Sequence, residues 1–320
     1  LNPFLLFTTL MGVSLGIIWG ALPGLSTTMA MALLIGFTST MSQDTAICFM
    51  LGVYTGSVFG GAISAILINI PGTPDAVPTM IEGHALAKKG EAGTALGTAI
   101  FGSFVGNWIG ILILIFLMPF LIAVALNFKS WEMFLLSIIG ISVCGTMCSG
   151  ELPIKGWIVG WIGILIAMVG IDPIFGVERF TFENPNFYDG FSYIPILIGL
   201  FGICEIIKTL PNQNKTPIPE KIGKLFLPLK QLFSYVSTAV RSGLIGTFIG
   251  ALPGAGANVA SFLSYDIGKK RAKPSEKLKW GKGSYEAIIS AEVANNANIG
   301  GSILPTLALG IPGNAAAAAL

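Results

Sequence analysis

The chain has 320 residues, 53% hydrophobic and 11% charged, with a formal net charge of +2 and a mean hydropathy of +0.79. A soluble domain carries roughly 25% charged residues, so this composition cannot cover a water-facing surface; the apolar content excludes disorder, and the near-neutral charge argues against a nucleic-acid binder. Four cysteines are too few for a disulfide scaffold, which leaves a polytopic membrane protein, and 41 glycines with 18 prolines point to interrupted helices.

The stretches Leu1–Gln43, Thr45–Pro74, Ala92–Phe128, Met133–Gly150, Gly156–Ile171, Gly190–Cys204, Ser242–Tyr265 and Val293–Leu320 contain no Asp, Glu, Lys or Arg. At ~20 residues per span they hold roughly nine to eleven membrane segments. Their all-round apolarity indicates helices, because a barrel would alternate with period two. The expected fold is therefore an all-α polytopic membrane protein. Residue 1 is Leu, and Asn314–Leu320 is still apolar, so the chain reads as part of a longer protein.

Two motifs recur in order. Gly20-Ala21-Leu22-Pro23-Gly24 returns 230 positions later as Gly250-Ala251-Leu252-Pro253-Gly254. Gly60-Gly61 leads to Ile70-Pro71-Gly72, and Gly300-Gly301 leads to Ile311-Pro312-Gly313. Residues 1–210 read as a first transmembrane repeat, 211–235 as a polar linker, and 236–320 as the start of a second repeat. Thr38–Asp44 lacks Lys and Arg, whereas its counterpart Gly268–Lys282 contains Lys269, Lys270, Arg271, Lys273, Lys277, Lys279 and Lys282. Short basic loops stay cytoplasmic, so the two repeats are expected to have inverted topology. The stretch Glu82–Glu91, with Lys88 and Lys89, reads as a cytoplasmic loop, and the acidic Asp172–Asp189 as an external one.

A Pro-Gly pair at membrane depth breaks a helix, and the freed backbone groups must lie inside protein or line a wet cavity. Re-entrant hairpins are the expected form. Ser26, Thr27 and Thr28 follow the first break, and Gly256, Ala257 and Asn258 the corresponding one. Each group sits where a half-helix would start, and a helix N-terminus suits an anion. The candidate substrate-binding residues are Gly24, Ser26, Thr27, Thr28, Asn69, Gly72, Thr73, Gly254, Gly256, Asn258, Asn295, Asn296, Gly313 and Asn314. Backbone carbonyls near Pro23, Pro71, Pro253 and Pro312 are candidate Na+ ligands. No side chain is proposed to bind a metal, and no cofactor is expected beyond a coupling ion, Na+ or H+.

Glu292-Val293-Ala294-Asn295-Asn296-Ala297-Asn298 is too polar to face lipid. It serves either as a hydrogen-bonding girder between helices or as a cavity wall. His84 is expected in a loop, solvated, and Cys144 with Cys148 as small packing residues. Glu205 and Lys208 end an apolar helix and snorkel to the interface. No protease constellation and no phosphate-binding loop is present, so an enzyme is not expected.

The chain resembles the large membrane subunit of the tripartite tricarboxylate transporters, the TctA family. Besides the repeated motifs, the likeness rests on Glu82-Gly83-His84-Ala85-Leu86-Ala87-Lys88-Lys89-Gly90, Gly170-Ile171-Asp172-Pro173 and Arg179-Phe180-Thr181-Phe182. Ile198-Gly199-Leu200-Phe201-Gly202 and Leu309-Gly310-Ile311-Pro312-Gly313 extend it. Family members run well beyond residue 320, and many carry more Gly or Pro where this chain reads Leu25-Ser26-Thr27-Thr28. The resemblance implies ion-driven uptake of tri- or dicarboxylates such as citrate across the inner (cytoplasmic) membrane. It also implies a small TctB-like membrane subunit and a periplasmic TctC-like solute-binding protein. A passive anion channel and a scaffold without transport are the alternatives, and glycine-rich faces would allow a homodimer.

Overall fold

The computed structural model describes residues 2–23, 25–125, 153–172, 176–191, 223–252 and 254–320, with isolated positions 127, 131, 134, 135, 138 and 207. Gly24, Pro253, Cys144, Cys148, Glu205, Lys208 and linker residues 211–222 lie outside the described residues.

Helix α1 (Pro3–Ala21) starts where Asn2 Oδ1 accepts the Phe4 N–H at 3.0 Å, with proline in the first turn. It stops as Leu22 turns extended ahead of Pro23. Helix α2 (Thr27–Thr38) begins under a Ser26 cap, whose hydroxyl accepts the Met29 N–H at 3.2 Å. Helix α3 (Gln43–Ile68) ends at Asn69, which takes a left-handed conformation with φ 57°. After Ile70-Pro71-Gly72 comes a 3₁₀ turn, Pro74–Ala76, and then α4 (Val77–Ala87) and α5 (Ala92–Ala125). Helix α6 (Pro153–Ala167) leads to a two-residue antiparallel ladder of β1 (Gly170–Ile171) and β2 (Glu178–Arg179). The ladder is closed by an Asp172–Arg179 ion pair at 2.7 Å. Helices α7 (Leu229–Ser234), α8 (Val236–Ala251), α9 (Gly256–Arg271), α10 (Pro274–Lys277) and α11 (Tyr285–Leu309) complete the order, before a 3₁₀ turn at Ala317–Ala319.

Three expectations change. The ladder adds strand to an otherwise helical chain. The stretch read as a loop after Glu82 is mostly helix α4, because Pro78 opens it and an Ala-Leu-Ala turn continues it. His84 sits on that helix, half-buried, with Nδ1 at 3.1 Å from the Ile66 carbonyl. Its Nδ1–H thus caps an orphan acceptor at the end of α3 rather than facing water.

Among the described residues, three helices are long and apolar enough to cross a membrane: Pro3–Ala21, Gln43–Ile68 and Ala92–Ala123. Most of the charge-free stretches Met133–Gly150 and Gly190–Cys204 lies outside the described residues, so this number does not count the whole chain. Elsewhere the helix breaks and polar groups keep other helices out of it. Breaks cut α2 and α9 to half-length, and α11 is long but carries Glu292 and three Asn. Phe104, Trp108, Ile115, Phe116 and Phe120 of α5 point outward, as do Phe4, Phe7, Leu10 and Ile18 of α1. Helix α11 is the reverse, buried from Ala287 to Pro305.

Glycine explains how the helices meet. A Cβ on Gly12, Gly16 or Gly20 of α1 would strike the carbonyls of Phe49, Val53 and Ser57 on α3. Gly52, Gly56 and Gly60 of α3 meet the carbonyls of Thr9, Val13 and Ile17 in return. The pattern repeats in α8 and α11: Gly246 against Ala294, Gly250 against Asn298, and Gly301 against Thr247. Gly102, Gly106 and Gly110 of α5 admit α11 on its other side. These faces, expected to be free for a homodimer, are thus occupied within the chain.

The two segments also contact each other across the middle of the molecule. Tyr54 of α3 meets Asn314, beyond α11, at 2.7 Å. Asn295 of α11 meets Asp75, beyond α3, at 3.2 Å. Ser261 of α9 donates to the Asp75 carbonyl at 2.8 Å, and Met31 of α2 packs in one core with Ala316 and Ala319.

Glu82, fully buried on α4, ties that helix to the start of α11. Its carboxylate accepts the Tyr265 hydroxyl at 2.7 Å and the N–H groups of Gly281 at 2.5 Å, Gly283 at 3.0 Å and Ser284 at 2.8 Å. Glu82→Ala leaves these buried donors unmet and is expected to cost about 3 kcal/mol or more, read as a lower melting temperature in detergent. Gly16→Val and Gly246→Val should abolish a monodisperse elution peak, since a few tenths of an ångström cannot relieve a clash with a backbone carbonyl. Gly36→Val, which meets open space, should leave the peak intact.

Candidate functional site

The broken ends of the helices converge. Ser26, Thr27 and Thr28 at the start of α2 and Gly254–Asn258 at the start of α9 line one cavity of about 540 Å³. Tyr54 and Val58 of α3, Pro74 and Asp75 after the second break, and Asn314, Ala315 and Ala316 after the last break complete it. A volume of this order suits a small molecule.

The donors differ in availability. The Ser26 hydroxyl is engaged in capping. Thr27 is only 9% exposed, yet its hydroxyl has no partner. Asn258 is exposed at the start of α9. The first N–H groups of each helix have no intrahelical acceptor and carry the positive end of the dipole. Gly254 is not among the free donors, because its N–H bonds the Gly313 carbonyl at 2.8 Å. Asn314 gives its amide N–H to Tyr54 at 2.7 Å and accepts the Ala317 N–H at 2.8 Å.

Several expected residues stand elsewhere. Asn69 is exposed and closes α3. Gly72 and Gly313 are buried packing positions whose N–H groups bond Gly61 at 3.2 Å and Ser302 at 3.3 Å. Thr73 is buried, immediately before Pro74 of the cavity wall, and is not among the lining residues. Near the proposed Na+ ligands, Pro23 and Pro312 are exposed and Pro71 half-buried, and the Leu22 and Gly313 carbonyls already accept Leu25 and Gly254 N–H groups.

Asn295 and Asn296 act in the girder manner. Asn296 donates to Ser103 at 2.9 Å, to the Glu292 carbonyl at 3.0 Å and to Asn295 Oδ1 at 2.8 Å, and it accepts from Asn107 at 3.1 Å. Glu292 accepts Thr79 at 2.5 Å, Ser103 at 3.1 Å and Asn295 at 3.5 Å. Only Asn295 reaches the cavity wall, through Asp75. Asp75, the first charge after Ile-Pro-Gly, was not singled out as a candidate from the sequence; it is 4% exposed. Tyr54 gave no signal within the apolar run of α3.

Helical spans with an apolar exterior, and a cavity between paired helix breaks, define an integral membrane protein. The tripartite tricarboxylate transporter TctA family matches residues 6–320, and the chain belongs to it. A relative from Agrobacterium vitis, described as an uncharacterized 52.8 kDa protein in the TAR-I ttuC' 3' region, is 36% identical over 314 residues. That alignment covers 98% of this chain and 62% of the relative, so the chain spans under two thirds of that protein's length. A second Agrobacterium vitis protein, from the TAR-II ttuC' 3' region, is 44% identical over 68 residues, 21% of this chain and 27% of that one. No solved structure matches the chain.

A buried hydroxyl without a partner costs about 1–3 kcal/mol. Thr27→Val keeps the shape and removes the polar atom. It should leave the melting temperature unchanged or raised, while weakening carboxylate binding about tenfold by equilibrium titration.

Proposed function

We propose that the protein containing this chain is a secondary transporter that takes up tri- or dicarboxylates such as citrate, driven by an ion gradient. The observation that carries the reading is the cavity in which two half-helix N-termini face each other and the Thr27 hydroxyl stands unpartnered. No Lys or Arg lines it, so backbone N–H groups and the Thr27, Thr28 and Asn258 side chains are the donors for the substrate carboxylates. A site without a fixed cation holds an anion modestly unless a co-ion accompanies it, which favours coupled transport over a channel.

In this reading the two repeats are related by a twofold axis in the membrane plane. The basic stretch Lys269–Lys282 is then cytoplasmic, and the uncharged Ser39–Ser42 turn lies on the other side. The breaks are re-entrant hairpins, and the membrane is the inner membrane. Family membership supports two partners, a small membrane subunit and an extracytoplasmic solute-binding protein that delivers the carboxylate. No catalytic role is proposed.

Uptake of radiolabelled citrate and other carboxylates into proteoliposomes of the full-length protein tests this, with and without the solute-binding protein. Accumulation above equilibrium that collapses with the ion gradient is expected. Equilibration without accumulation under every gradient would show a channel instead. Thr28→Ala and Asn258→Ala should each raise the half-saturating concentration several-fold at an unchanged yield of folded protein.

A further inference from the structure

Asp75 and Glu292 form a pair that the anion-binding reading leaves unused. Both are buried, at 4% and 0% exposure. One amide group, Asn295 Nδ2, donates to both, at 3.2 Å to Asp75 and 3.5 Å to Glu292. Facing Asp75 are Tyr54 from α3, Glu292 from α11 and the neutral Ser261 from α9. Among the described residues, no Lys, Arg or His pairs with either acid; the ion pairs are Asp172–Arg179, Asp266–Lys270 and Glu276–Lys279. Two adjacent buried carboxylates without a cation do not both stay charged.

The surroundings separate the two acids. Glu292 is filled by O–H and N–H donors from Thr79, Ser103 and Asn295. Those hydrogens occupy its lone pairs, which suits a fixed anion and leaves little for a metal ion. Asp75 faces the Asn295 amide, the Thr73 hydroxyl and its own backbone N–H, and unlike Glu292 it lines the cavity. The cavity also holds the unpartnered Thr27 hydroxyl.

Resting on the transport reading above, we propose that Asp75 is the coupling group, accepting one proton from water in the cavity whenever the substrate carboxylate binds at Thr27 and Asn258. The hydronium ion gives its proton to Asp75 and leaves as water. The uncharged acid then no longer repels the incoming carboxylate, so each ligand favours the other. Glu292 and Asn295 are positioning residues: the shared amide holds the two acids side by side, where burial raises the proton affinity of Asp75.

The test is carboxylate uptake by the full-length protein in proteoliposomes under an imposed pH gradient without Na+, and under a Na+ gradient without a pH gradient. The wild-type protein should accumulate substrate under the pH gradient alone. Asp75→Asn, nearly isosteric, should lose at least tenfold of that accumulation at an unchanged melting temperature, and Asp75→Glu should recover part of it. Glu292→Gln should shift the pH profile of uptake toward acid. Accumulation by Asp75→Asn equal to wild type would overturn the proposal. So would wild-type accumulation driven by Na+ and indifferent to the pH gradient, a result that needs no variant and leaves the transport reading standing. Absence of carboxylate flux under any gradient would overturn both.

Discussion

A backbone group freed from a helix inside a membrane has no water to bond, so it must find a partner in protein or a wet cavity. This chain breaks its helices at Leu22-Pro23, Pro71-Gly72, Leu252-Pro253 and Pro312-Gly313, and the rest of the architecture accommodates those breaks. The second break in each segment is clamped against the helix before it: the Gly72 N–H bonds the Gly61 carbonyl, and the Gly313 N–H bonds the Ser302 carbonyl. The first break leads into a helix N-terminus that opens on the cavity. In the proposed reading, what would be a liability against lipid becomes the source of donors for an anion.

Packing in lipid gains nothing from the hydrophobic effect between helices, so close van der Waals contact must replace it. The glycines of α1 and α3 serve that need by letting backbones touch, and those of α8 and α11 do the same. Such contact fixes the helices laterally and along their axes. Tyr54 therefore arrives opposite Asn314, and Asn295 opposite Asp75. A polar helix such as α11 is stable here only because neighbours surround it on every side and its carboxylate and amides bond one another.

In the proposed mechanism, the combination sets anion and proton chemistry side by side. Thr27 and the helix ends supply donors, while Asp75 supplies an acceptor on the same wall. A carboxylate and a buried acid repel unless one is neutral. That repulsion is the physical link by which occupation of one part of the cavity affects the other.

Much of this was legible without coordinates. Composition alone demands a membrane protein, and the repeated Leu-Pro-Gly and Ile-Pro-Gly motifs mark where helices stop, because proline and glycine act locally. The Ser26–Thr28 and Gly256–Asn258 starts follow from the same local rule, and Glu292 with its three Asn had to be interior. Position in space did not follow. Asn69 and Gly310 look unlike but hold the same left-handed turn, so Asn69 closes a helix instead of meeting a ligand. The burial of Asp75 could not be read from the sequence, because its partners Ser261 and Asn295 lie about 190 and 220 positions away. Tyr54 and His84 likewise owe their roles to partners that only packing supplies. Local backbone chemistry sets where the chain must bend; long-range contact decides which of the exposed groups face the cavity.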